Sequence, residues 1–276
     1  MENVAFLYPD YFQPSVSYSP VISGGSWQPT LPLVNLQSQL LSKPARSTNL
    51  LAASTKLVVD LGVARPVGML AIGKHNGSSA GTVVAKLSNV ADFSATVHTS
   101  AALPLWPAGK IAEDMDGYNV NWFYTPPEGL TATRYVELDF SDPANPAGYL
   151  DLARLMIGGK FQPAVGFHFG GVNIGWEDPT KVDTSKGGVD WFDIMQPFRV
   201  KRFQLDDLSD SEAYDTVFEM QRRLGKHGQT FISFDPAATG FRRWQRSFLC
   251  TMRHLSPIEW PYAGGNSVGF EAKEVL

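Results

Sequence analysis

The chain has 276 residues, of which 43% are apolar, 12% aromatic and only 18% charged. Its net charge is −4, with 10 basic against 12 acidic residues in 1–160 and 13 against 15 in 161–276, so neither half is a basic nucleic-acid binder overall. A single cysteine, Cys250, excludes an intrachain disulfide framework, and no apolar run approaches the ~20 residues of a membrane-spanning helix.

Residues 1–34 mix aromatics (Tyr8, Tyr11, Phe12, Tyr18, Trp27) with Pro9, Pro14, Pro20, Pro29 and Pro32. Proline removes a backbone donor and fixes φ, so an extended N-terminal arm is expected here, not a helix. Whether it lies on a partner or forms a strand of its own domain stays open. The first residues carry neither a basic n-region nor an apolar h-region, so the protein is expected to be made in a cytoplasm and to stay soluble or assemble there.

From 35 to 160, short apolar runs alternate with turn signals. Strands are predicted at 56–61, 67–72, 82–88, 134–140 and 149–157. In 134–140 the alternation is strict: Tyr135, Glu137 and Asp139 share one face, and Val136, Leu138 and Phe140 the other, the mark of a half-buried strand. Evenly spaced short strands predict a sandwich or jelly roll. Gly158, Gly159 and Pro163 then punctuate the chain, placing a domain boundary at about residue 160.

The second half, 161–276, contains the one convincing helix. Ser209 and Glu212 have capping-box spacing. Acids open the helix, Arg222, Arg223 and Lys226 close it in keeping with its dipole, and Gly225 is placed to end it. Ala213, Val217, Met220 and Leu224 form an apolar stripe, widened by Tyr214 and Phe218. Strands are predicted on either side, at 198–205, 230–234, 246–255 and 268–272. This half is therefore expected to be an α+β domain whose sheet the helix covers.

Chemistry-bearing patterns are sparse. The five histidines lack metal-ligand spacing, and no nucleophile elbow or phosphate loop occurs. The glycines of 169–175 read as a β turn. No catalytic, cofactor-binding or metal-binding residue is therefore expected, and the chain is expected not to be an enzyme. Two alternatives stand beside that reading. Cys250 and His254 form an i, i+4 pair, either a thiol nucleophile or an inert buried sulfur. Asp139 and Asp142 flank a loop at 141–146, either supplying oxygens to Ca²⁺ or forming a solvated turn.

Two surface candidates remain. Arg242, Arg243, Trp244 and Arg246 form a basic segment, and Glu177, Asp178, Asp190 and Asp193 an acidic one. Opposite charges within one domain suit head-to-tail contact between identical subunits, the arrangement that closes rings. A plain solvated surface is the alternative, with nucleic-acid contact a third. Trp106, Tyr118 and Trp122, with Phe123, form either a platform for stacking a sugar or part of the sandwich filling.

Two resemblances follow from these residues. Asn35-Leu36, Pro44-Ala45-Arg46-Ser47, Leu57-Val58-Val59-Asp60-Leu61-Gly62, Ala71-Ile72-Gly73-Lys74-His75-Asn76, residues 83–88 and Arg134-Tyr135-Val136-Glu137-Leu138 resemble the galactose-binding-like jelly roll of discoidin and coagulation-factor domains. This implies such a jelly roll over 35–160. The run from Arg134 to Leu155, with Phe198-Arg199-Val200, the segment 206–225 and residues 230–236, resembles minor tail proteins of siphophages, in particular the distal-tail and tail-tube ring domain. That likeness implies a ring domain over 161–276 and a structural role at the tail tip of a long-tailed bacteriophage. It further implies a homo-oligomeric, hexameric ring in the virion tail, with tail tube, baseplate hub or tail-fibre proteins as partners. The alternative is a carbohydrate-binding module contacting host surface glycans. Neither a membrane nor nucleic acid is an expected partner.

Overall fold

The computed structural model describes residues 3–14, 19–167, 172–238, 240–262 and 264–276. They form two compact units: Met1–Met115 with Asn119–Gln162 and Thr230–Phe248, and Asp116–Tyr118 with Pro163–Gln229 and Leu249–Leu276. The chain enters the second unit briefly at Asp116–Tyr118, returns to the first, and leaves it again at Pro163. Residues 230–248, expected in the second domain, instead belong to the first.

The first unit is a sandwich of two antiparallel sheets. In chain order its strands are β1 (Ala5–Asp10), β2 (Val21–Ser23), β3 (Ala45–Arg46), β4 (Leu57–Arg65), β5 (Met69–His75), β6 (Thr82–Ser88), β7 (Thr96–Thr99), β8 (Leu103–Pro104), β9 (Trp122–Tyr124), β10 (Thr133–Ser141) and β11 (Asp151–Phe161). One sheet runs β2-β4-β10-β6-β7, with β8 beside β6. The other runs from Gln229–Ser233 through β1, β11 and β5 to β9, with β3 beside β11. Successive strands β4, β5 and β6, and again β9, β10 and β11, change sheets, which is jelly-roll connectivity.

Inward residues from both sheets, among them Leu57, Val59, Ile72, Val136, Leu138 and Leu155, make one core. Each such side chain contributes about 1.5–3 kcal/mol by leaving water. The alternation in β10 is as expected on its apolar face. On its polar face Lys86 reaches both Glu137 (2.6 Å) and Asp139 (2.7 Å).

The N-terminal segment differs from a free arm. Strand β1 pairs with β11 on one side and with Gln229–Ser233 on the other (Ala5↔Ser233, Phe6↔Ile232). Val4, Ala5, Phe6 and Leu7 are buried. Four consecutive apolar residues suit a strand covered on both faces, and the pairing with Gln229–Ser233 draws that late segment into the first unit. Tyr18 lies outside the described residues. The expected punctuation at Gly158-Gly159 is also different in kind. Strand β11 runs straight through both glycines because β1 crosses there: a Cβ on Gly158 would lie 2.2 Å from the Pro9 carbonyl oxygen, and one on Gly159 2.8 Å from that of Tyr8.

The second unit is α+β. Phe198–Leu208 pairs along its length with Gly265–Glu274, flanked by Asn173–Glu177 and by Ile258–Tyr262. The Phe203 and Phe270 rings stack at 5.2 Å. The capping box forms as expected: the Glu212 N–H donates to Ser209 Oγ (3.3 Å), and the Ser209 N–H donates to Glu212 Oε2 (2.9 Å). The helix then winds as a π-helix over Ser211–Phe218 before becoming α over Glu219–Leu224, and Gly225 ends it at φ 53°. Ala213, Val217 and Met220 are buried, but Tyr214 and Phe218 are exposed and pack on each other at 6.3 Å. A separate hairpin, Lys181–Thr184 with Asp190–Asp193, was not expected. Among the described residues no helix is long and apolar enough to cross a membrane, and no group of three or more His, Cys, Asp or Glu side chains is placed to hold a metal ion.

Candidate functional site

One concave feature of the first unit is an aromatic cleft. Alternation along β9 places Trp122 and Tyr124 on one face, with their rings 6.5 Å apart, while Phe123 packs against Phe231 at 5.1 Å. The residue before the strand, Asn121, is a junction. Its carbonyl accepts from Trp244 Nε1 (3.1 Å), and its Nδ2 donates to the Ser247 carbonyl (3.1 Å). These two bonds hold the short helix Gly240–Gln245 against β9. Opposite, Trp106 follows β8 and donates through Nε1 to the Gly77 carbonyl (2.5 Å). Between these walls lies a cleft of about 250 Å³, with Trp106, Asn121, Trp122, Tyr124, Arg243 and Trp244 in its lining.

Its polar groups are few and specific. The Arg243 guanidinium lies over the Phe123 ring, with Cζ 3.9 Å from the centroid, and its Nε is buried without a hydrogen-bond partner. Burial lowers the Arg243 pKa. Asn121 Oδ1 is likewise buried without a partner. The Tyr124 hydroxyl lies 2.7 Å from His98 Nε2, and burial raises its pKa. No acidic residue lines the cleft among the described residues. Flat apolar rings beside a few convergent polar atoms are the ordinary composition of a small-ligand site.

The structure regroups the residues singled out from sequence. Trp106 and Trp122 share the cleft, but Trp122 and Phe123 are buried (4% and 6% exposed), not presented as an open platform. Tyr118 belongs to the second unit, where its ring meets Trp176 edge-on at 5.1 Å and the Arg199 guanidinium at 5.6 Å. Of the basic group, Arg243 and Trp244 line the cleft, with Trp244 buried, while Arg242 is exposed and Arg246 half-buried. The reason is helical geometry: Gly240–Gln245 turns Trp244 inward against Asn121. Of the acidic group, Glu177 pairs with Arg253 at 2.5 Å, and Asp178 accepts from the Thr180 N–H. Asp190 accepts from the Thr184 hydroxyl (2.6 Å), and Asp193 stands opposite Lys181 in the exposed hairpin.

The remaining alternatives resolve locally. Cys250 is fully buried and burial raises its thiol pKa, whereas His254 is exposed, so the two do not form a nucleophile pair. Asp142 accepts from the Ser78 N–H and hydroxyl and from Asn145, while Asp139 faces Lys86; the two carboxylates are engaged separately. The turn at 169–175 falls partly on residues 168–171, outside the described ones. Sequence reasoning missed Asn121, Tyr124 and His98. The only local signal was the Asn-Trp-Phe-Tyr run, and no spacing rule joins it to residues 240–244.

No protein family matches the chain, and no curated protein matches it. Among solved structures, about half of the chain is similar to single sugar-binding domains. The family 32 CBM from C. perfringens NanJ, solved with galactose, shares 15% identity over 51% of this chain and 93% of that one, with a TM-score of 0.38. The lectin-binding domain of lectinolysin, solved with Lewis b, shares 14% identity over 56% and 98%, with a TM-score of 0.39. A Streptococcus pneumoniae fucose-binding module shares 11% over 53% and 95%, with a TM-score of 0.37.

Proposed function

We propose that the chain is a non-catalytic recognition protein whose first unit binds a saccharide in the aromatic cleft. The observation that supports this is the gathering of Trp106 and Tyr124 with the Asn121 amide and the Arg243 guanidinium around one small concavity. A pyranose has the complementary surface. Its C–H face stacks on an indole, and its ring hydroxyls meet donors and acceptors at the edge. Glycan-array screening of the whole chain, followed by calorimetry, tests this. Binding at micromolar to millimolar Kd that Arg243→Gln or Trp106→Ala weakens at least tenfold, with unchanged circular dichroism, is expected. Absence of binding to every glycan overturns it.

A second reading, which does not exclude the first, is a self-assembling structural subunit. One observation favours it: the hairpin Lys181–Thr184/Asp190–Asp193 and the residues after it expose Val182, Val189, Trp191, Phe192 and Ile194. Several large apolar side chains left exposed on one hairpin suit an interface. The acidic hairpin of one copy then meets the exposed Arg242 of the next, head to tail. With the siphophage resemblance, this supports reading the chain as a subunit of a ring at a phage tail tip, contacting tail tube, hub or fibre proteins, with the jelly roll carrying the host-glycan contact. Light scattering and negative-stain electron microscopy test it, and a strictly monomeric protein at tens of micromolar overturns it.

A further inference from the structure

Arg243 differs from the ion-paired arginines of this protein. Arg46, Arg134, Arg154, Arg199 and Arg253 each meet a carboxylate at hydrogen-bond distance. Arg243 is half-buried, lies over the Phe123 ring and meets no acid among the described residues; its Nε is buried. Its charge is desolvated by the aromatic wall without a counter-charge. The cleft beside it contains aromatic rings, the amide of Asn121 and aliphatic Leu103, Pro104 and Leu105. A partly buried cation costs free energy until an anion reaches it. The charge–quadrupole contact with Phe123 offsets part of that cost.

From this juxtaposition we infer that the cleft selects acidic saccharides, a uronic or nonulosonic acid residue whose ring stacks on Trp106 while its carboxylate meets Arg243. This rests on the saccharide-binding reading and narrows it. A planar guanidinium edge matches the two oxygens of a carboxylate, a fit that a neutral hydroxymethyl group at the same ring position does not make. Contact with Phe123 already confines the guanidinium, so less side-chain entropy is lost when the pair forms.

The test compares galactose, galacturonate, galacturonate methyl ester and a 6-sulfated galactose on the full chain by calorimetry at low and moderate salt. Galacturonate is expected to bind at least tenfold more tightly than galactose. Esterification, which keeps the ring and removes the charge, should abolish that advantage without any change to the protein. Added salt should weaken it, because the pair sits at the mouth of an open cleft. Arg243→Gln should level the two affinities, and Arg243→Lys should restore part of the gap. Equal binding of galactose and galacturonate overturns this inference and leaves saccharide binding standing. So does an advantage that survives esterification, or a sulfated sugar bound as tightly as the carboxylate. Failure of all four sugars, and of the wider array, removes both readings together.

Discussion

Asp10 and Arg154 form a buried ion pair across 144 residues of sequence, with Oδ2 2.8 Å from Nη2. Asp10 ends β1 and Arg154 sits in the middle of β11 at φ 52°, a left-handed value for a non-glycine residue. Burial raises the Asp10 pKa, against the pull of Arg154 and of the Phe12 and Ile157 N–H groups that also donate to it. The pair fixes where the N-terminal segment docks.

Removing one member leaves the other charged and dehydrated. Asp10→Ala is therefore expected to cost about 3–5 kcal/mol in urea unfolding, whereas Asp10→Leu with Arg154→Met, which removes both charges at similar volume, should cost much less. Equal losses in the single and double variants would show that the charges themselves do not set the cost.

His75 offers a pH handle. It is buried, accepts from the Gly77 N–H through Nδ1 (3.1 Å), and is held down to about 4 chiefly by burial. The unfolded chain binds a proton near 6.5, so the native state binds it later. The contribution of the neutral ring is thus fully present above pH 6.5 and is lost as pH falls towards 4. The whole window corresponds to about 3 kcal/mol. Wild type should lose most of that between pH 7 and 4.5 relative to His75→Gln, by urea titration at each pH. Parallel pH curves for the two proteins contradict the assignment.

How legible this molecule was from sequence depended on the range of the interactions. Strand β10 and the Ser209–Glu212 box were readable because alternation and capping are settled by neighbours along the chain. The role of residues 5–10 was not, because a short apolar run reads alike as an arm or a central strand until its partners are known. Gly158 and Gly159 read as punctuation because glycine marks both linkers and sites of close backbone approach, and here they mark the approach of β1. The π winding of Ser211–Phe218 also lay beyond reach, since the apolar spacing at 213, 217 and 220 suits an ordinary α-helix. For the cleft, Trp106 and Trp122 drew notice as aromatics and Arg243 and Trp244 as part of a charged run, but their meeting depends on strand pairing more than a hundred residues apart.

Trp106 and Trp122 should separate binding from stability. Trp122 is buried in the sandwich core, so Trp122→Ala is expected to cost about 3–5 kcal/mol and to confound any binding assay. Trp106 is half-buried at the edge of the same core and carries one hydrogen bond. Its alanine variant should lose less, about 1–3 kcal/mol, while losing saccharide affinity at least tenfold. Thermal denaturation beside calorimetry distinguishes the two. A Trp106→Ala protein with native affinity would remove that indole from the site.

The hairpin makes the opposite prediction for stability. Trp191, Phe192 and Ile194 are 68%, 60% and 83% exposed, so replacing them removes almost no contact within one chain. Trp191→Ser with Phe192→Ser should change unfolding free energy by no more than about 0.5 kcal/mol per site. The same two rings would become buried at an interface between copies. There each large aromatic contributes about 2 kcal/mol or more when it sits at the centre of the contact, so the double variant should shift the association midpoint by two to three orders of magnitude in concentration. Sedimentation velocity across a concentration series measures this directly. An unchanged sedimentation profile would mean that the hairpin faces solvent in the assembled protein, and that its apolar side chains serve some contact other than self-association.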